Sequence, residues 1–72
     1  MKKLKAIIER ASDGNFSVYM KEEMDYQVIG TGKTEEEARK DFLDAYEGMK
    51  EFYKTNGMEF EECEFDFKYD MV

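Results

Sequence analysis

The sequence predicts a small α+β domain with the element order β-β-β-α-β: an antiparallel three-stranded meander, one long helix packed on one sheet face, and a fourth strand. Three observations lead there. Ser12-Asp-Gly-Asn15 separates two short apolar segments, a threonine-headed amphipathic run begins at Thr34, and Glu62–Asp70 alternates between apolar and charged residues. A turn between apolar runs, a period of 3.6 and a period of 2 are the signals of hairpin, helix and half-buried strand.

Leu4–Arg10, with its adjacent isoleucines, is the expected first strand. In the turn after it, Gly14 and Asn15 suit positive φ. Phe16–Met20 is the second strand, with Phe16, Val18 and Met20 on one face. Lys21–Asp25 is a polar connection, and Tyr26–Thr31 a third strand loosened by glycines at 30 and 32. The helix is expected from Thr34 to about Thr55. Thr34-Glu-Glu-Glu37 fits a capping box, in which the Thr34 hydroxyl accepts from the Glu37 amide and Glu37 returns to the Thr34 amide. Three acids in the first turn also suit the positive end of the helix dipole. Ala38, Phe42, Ala45, Met49 and Phe52 recur at helical spacing as the predicted core stripe, edged by Leu43 and Tyr46. Asn56-Gly57 supplies the stop. In the last strand Cys63, Phe65, Phe67 and Tyr69 share one face, and a helical crossover is the usual way to lay such a strand parallel to an earlier one.

Alternation assigns Leu4, Ala6, Ile8, Phe16, Val18, Met20, Tyr26 and Val28 to the helix-facing side of the sheet. Ile7, Tyr19 and Ile29 then fall on the reverse side, which one helix cannot cover. Three such residues on neighbouring strands, in a domain short of core, read as an interface with a partner or a second copy.

The chain has 72 residues, one small domain whose core supplies at most ~3–5 kcal/mol unaided. Cys63 is the only cysteine and there is no histidine, so disulfides and zinc give no support. Cys63, in register with three aromatics, reads as a small buried hydrophobe rather than a redox thiol. The lone thiol fits a reducing, cytoplasmic setting. No apolar run approaches the ~18 residues of a membrane span. Eleven Lys+Arg against eighteen Asp+Glu leave a net charge of −7. That balance argues against direct nucleic-acid binding, which needs a basic surface, and favours a basic protein partner.

Gly32-Lys33-Thr34 looks like the end of a phosphate-binding loop. Such a loop needs G-x-x-x-x-G-K-[ST], and the position five before Gly32 is Gln27. Three acids directly after Thr34 would also repel a triphosphate. The stretch reads as a strand end followed by a helix cap, with no cofactor.

Lys5-Ala-Ile-Ile-Glu-Arg-Ala-Ser-Asp-Gly-Asn-Phe-Ser-Val-Tyr19 and Gly30-Thr-Gly-Lys-Thr-Glu-Glu-Glu-Ala-Arg39 carry a resemblance to the N-terminal domain of HicB antitoxins. The shared pattern is a first strand, the Asp13-Gly14 turn, a second strand bearing Phe16 and Tyr19, and Gly32-Lys-Thr-Glu-Glu-Glu-Ala38 opening the helix. Phe65-Asp-Phe-Lys-Tyr-Asp70 is similar to the end of that domain. The resemblance implies a partial RNase H-like fold without catalysis, a single antitoxin domain over residues 1–72, and neutralisation of a small basic mRNA-cleaving toxin of the HicA type. Two departures stand out. Met24-Asp-Tyr-Gln-Val28 replaces an L-P-G-C-type segment, and the chain ends at Val72, where many HicB proteins continue into a DNA-binding domain. Operator binding is therefore not carried over.

On this reading the protein acts by occupancy, as a homo-oligomer, covering the toxin's RNA-contacting surface. The acids around the second connection and the helix start, Glu22, Glu23, Asp25, Glu35 and Glu36, are the expected contacts. A reading from another class is a stand-alone dimerisation or small-ligand-sensing module. A third, a metal-dependent nuclease, would need acids such as Glu9, Asp44 and Glu47 to converge.

Overall fold

The computed structural model describes residues 2–22 and 26–69. Strands β1 (Lys2–Arg10), β2 (Phe16–Met20) and β3 (Ile29–Gly32) precede helix α1 (Glu35–Thr55), and β4 (Cys63–Tyr69) follows it. They form one sheet in the order β3-β2-β1-β4, antiparallel except that β4 runs parallel to β1. The expected α+β class, a meander with a helical crossover to a last strand, is what the chain adopts.

The β1–β2 hairpin is set by local chemistry. The Gly14 amide donates to the Ala11 carbonyl at 2.9 Å, and the Asp13 carboxylate accepts from the Asn15 amide at 3.0 Å. Gly14 takes φ 90°, while Asn15, expected to share that freedom, keeps negative φ. A β-turn closed by one left-handed glycine is enough to reverse the strands.

Thr34 caps α1 as expected, its hydroxyl accepting from the Glu37 amide at 3.1 Å. Glu37 returns one residue further back than a capping box requires, to the Lys33 amide at 3.0 Å. At the other end Gly57 takes φ 66°, its amide donates to Lys54, and the Met58 amide donates to Tyr53. These two bonds make a Schellman motif, which satisfies the last carbonyls.

The face predicted to meet the helix does so. Leu4, Ala6, Ile8, Val18, Met20, Tyr26 and Val28 are buried, and Phe16 packs half-buried against them. The helix stripe is corrected. Ala38, Phe42 and Tyr46 are buried, with Met49 and Tyr53 partly so, whereas Ala45 is exposed and Phe52 is 57% exposed. The contacting side is thus centred on 38, 42, 46, 49 and 53, rotated from the predicted line toward Tyr46.

Gly30 and Gly32 explain the rotation. A Cβ on Gly30 would lie 2.2 Å from the Phe42 amide nitrogen and 2.5 Å from the Ala38 carbonyl oxygen. One on Gly32 would lie 2.6 Å from the Ala38 nitrogen. These glycines do not loosen β3; they let the helix backbone lie directly on it. The strand also begins later than expected, at Ile29, because Tyr26 is turned into the interior instead of joining the ladder.

Under the second half of α1 sits an aromatic plug. Tyr26 stacks on Phe60 with centroids 5.0 Å apart and meets Tyr53 edge-on at 5.9 Å, while Tyr46 lies 5.5 Å from Phe60. The Tyr46 hydroxyl accepts from the Cys63 amide at 3.0 Å, so the helix fixes the start of β4. Cys63 is buried in this plug, as its register predicted.

Candidate interaction surface

Three surfaces carry residues that the fold does not consume. The first is the reverse side of the sheet. Ile7 pairs with Tyr19, and Tyr19 with Ile29, so the three predicted interface residues form one continuous row across β1, β2 and β3. Lys68 extends the row onto β4. Ile29 is 60% exposed, while Ile7 and Tyr19 are half-buried. The row is one residue wide, with Ser17, Thr31 and Glu9 on one side and Lys5 and Asp66 on the other.

The second surface is the outer side of α1. Glu37, Lys40, Asp41, Asp44, Glu47 and Glu51 are all exposed there, and spacings of three and four align them along roughly 21 Å of helix. Glu37 serves the cap, and the Asp41 carboxylate accepts from the Thr31 amide at 2.9 Å. Asp44 and Glu51 make no hydrogen bond or ion pair with other described residues, and Glu47 adds its charge beside them. Between this ridge and β3 lies an open depression of ≈ 430 Å³, bordered by Thr31, Gly32, Glu37, Lys40, Asp41 and Asp44.

The third is a groove of ≈ 410 Å³ between α1 and β4, lined by Glu36, Arg39, Lys40, Leu43, Asp44 and Phe67. Leu43 is 42% exposed, and the Arg39 guanidinium lies 5.8 Å from the Phe67 ring centroid. This flank of the helix carries charges of both signs around an apolar floor, where the outer ridge is mainly acidic.

The predicted partner-binding acids do not form one surface. Glu22 accepts from the Lys5 amide at 3.0 Å, toward the start of β1. Glu35 accepts from the Tyr69 hydroxyl and sits 3.9 Å from Arg39, toward the opposite end of the sheet, with Glu36 beside it on the groove. Glu23 and Asp25 lie outside the described residues. The bond to Glu35 raises the Tyr69 phenol above its usual range.

The acids imagined as a metal cluster are likewise apart. Glu9 faces away from α1, opposite Ser17, while Asp44 and Glu47 are exposed on the helix, so the sheet stands between them. Among the described residues no three metal-ligating side chains converge. The Gly32-Lys33-Thr34 turn is equally committed: the Lys33 and Glu37 amides, which a phosphate would need, bond to Glu37 and Thr34. Among the described residues no helix is long and apolar enough to cross a membrane.

The residue most shifted by its surroundings is Tyr26. Burial first, then the bond to Cys63 Sγ at 3.2 Å, pushes its phenol well above the usual range. The hydroxyl also lies 3.2 Å from the Glu61 carbonyl, to which it donates. A raised folded-state pKa holds its stabilisation below the unfolded value of about 10 and loses it as pH rises further. Stability to urea is therefore expected to fall from pH 10 upward. Tyr26→Phe should flatten that fall while leaving the ring packing in place; an unchanged alkaline slope would refute the assignment.

The outer ridge of α1 was missed by sequence reasoning, although its acid spacing was readable. Along the chain those acids are diluted by the residues between them, and only the helix groups them. Compared with protein-family models, curated proteins and solved structures, the chain has no match in any of the three.

Proposed function

We propose that this chain is a protein-binding antitoxin domain of the HicB type with a partial RNase H-like fold. It would neutralise a HicA-type mRNA-cleaving toxin by covering the toxin's basic RNA-contacting surface. The β-β-β-α-β order, with a helical crossover onto a parallel strand, supports the fold half of the reading. The motif order from Asp13-Gly14 to Ala38 supports the family half.

The observation that carries the function is the acidic ridge of α1. Asp44, Glu47 and Glu51 stand in solvent on a rigid helix, where they add nothing evident to the fold. Charges fixed on a helix keep their spacing, so they present a pattern that a basic surface can match without reordering. The proposed toxin contacts are therefore on this ridge rather than at the helix start, and Glu36, on the groove, and Glu22 both lie outside it. No step of chemistry is required, only occupancy.

Calorimetric titration with a catalytically dead HicA-type toxin, at low and high salt, tests the reading. Binding should weaken with salt, as exposed charge pairs do. Reversal of Asp44, Glu47 and Glu51 together to lysine should weaken it by at least about tenfold, while Glu22→Lys leaves it nearly unchanged. A cognate toxin that does not bind, or that binds the reversed ridge equally well, sinks the proposal.

A further inference from the structure

We infer that β4 is a self-association edge, along which a second copy of this chain adds its own β4 antiparallel to form a continuous eight-stranded sheet. The two edges of the sheet are not alike. At β3 the Thr31 amide is taken by Asp41, and the helix backbone lies directly on Gly30 and Gly32. Among the described residues no strand lies beyond β4.

The ladder fixes which backbone groups that edge offers. The Lys2 amide donates to the Glu62 carbonyl, so even-numbered residues of β4 turn toward β1. Phe65, Phe67 and Tyr69 then direct their amides and carbonyls outward, an unpaired template for another strand.

The side chains select the occupant and its register. A two-fold axis at Phe67 sets Phe67 against its own copy and Phe65 against Tyr69 of the second copy. The intervening positions set Asp66 opposite Lys68 of the second copy, and by symmetry this attraction occurs twice. Asp66 and Lys68 are exposed and only 3.6 Å apart within one chain, so both charges already stand at the seam. Centring the axis on Phe65 would instead oppose Glu64 to Asp66. Non-hydrogen-bonded pairs bring side chains closest, which makes the sign of that pairing matter. The groove beside Leu43 and Phe67 opens along the same strand, so the added strand shields an apolar surface that one helix leaves half covered. This association is independent of what the ridge of α1 binds.

Sedimentation equilibrium of the whole chain at low ionic strength tests it. The unsubstituted chain should dimerise. Asp66→Lys and Lys68→Asp should each weaken the dimer by about tenfold, since each turns two attractive pairs into repulsive ones. The double swap should restore it. Mixing an Asp66→Cys chain with a Lys68→Cys chain should give an oxidised heterodimer, whereas two Glu64→Cys chains should not cross-link. A chain that stays monomeric, single reversals that dimerise as before, or cross-linking indifferent to register would each overturn the assignment.

Discussion

Gly30→Ala is expected to leave the domain largely unfolded at room temperature. The added methyl would meet the Phe42 nitrogen at 2.2 Å, the Ala38 oxygen at 2.5 Å and the Phe42 Cα at 2.6 Å. All three are helix backbone, so no rotamer change relieves the clash and α1 must lift from β3. Overpacking costs about 1–3 kcal/mol and sometimes more. A domain of this size holds only ~3–5 kcal/mol. Gly48→Ala provides the opposite case. Gly48 lies in the same helix, a methyl added there would have nothing within 4 Å, and its backbone is ordinary helix. There alanine should stabilise by about 0.5–1 kcal/mol through helix propensity. Urea unfolding followed by far-ultraviolet circular dichroism compares the two directly. If Gly30→Ala unfolds at the same midpoint as the parent chain, α1 is not seated on β3 as described.

The same contact shows which parts of the fold the sequence can express. Features governed by neighbours along the chain were legible: the Asp13-Gly14 turn, the Thr34 cap, the Gly57 stop and the alternation of β4. The rotation of α1 was not. Ala45 and Tyr46 are adjacent and both apolar, so either can continue a stripe through Ala38 and Phe42. What chooses Tyr46 is tertiary: glycines on β3 draw one side of the helix down, and the Cys63 amide finds the Tyr46 hydroxyl. The limits of β3 escaped for a similar reason, since Tyr26 finds its partners at Phe60 and Glu61 rather than on β2.

For the candidate surfaces the division is parallel. Strand alternation placed Ile7, Tyr19 and Ile29 on one side, and the register then joined them into a row. Alternation cannot say which end of the sheet a loop residue occupies. Glu22 and Glu35 therefore looked like one acidic group, yet one sits by Lys5 and the other by Tyr69. The outer ridge of α1 is the acidic surface that survives folding, because its members share one helix and need no loop to bring them together.

Phe42→Ala should destabilise the chain by about 3–5 kcal/mol, as deletion of a buried aromatic ring does, whereas Phe52→Ala should stay within about 0.5 kcal/mol. Both residues lie on the stripe that periodicity predicts, so the pair separates the observed rotation of α1 from the expected one. Phe42 is fully buried, with Phe65 edge-on at 4.9 Å and Phe67 at 5.8 Å. Its ring is the joint between α1 and the strand that arrives last. Removing it leaves a cavity between α1 and β4, in a domain whose whole stability is of similar size. Phe52 is mostly in solvent, and among the described residues its one ring contact is Tyr53, its chain neighbour, at 6.3 Å. Urea midpoints for the two variants supply the comparison. Equal losses would place Phe52 in the core and turn α1 back toward Ala45. That turn would also carry Asp44 and Glu51 around the helix, toward β3 and away from the solvent-facing crest on which toxin binding is proposed. The helix phase therefore links the stability of the domain to its function, and this pair of substitutions tests the phase without any partner present.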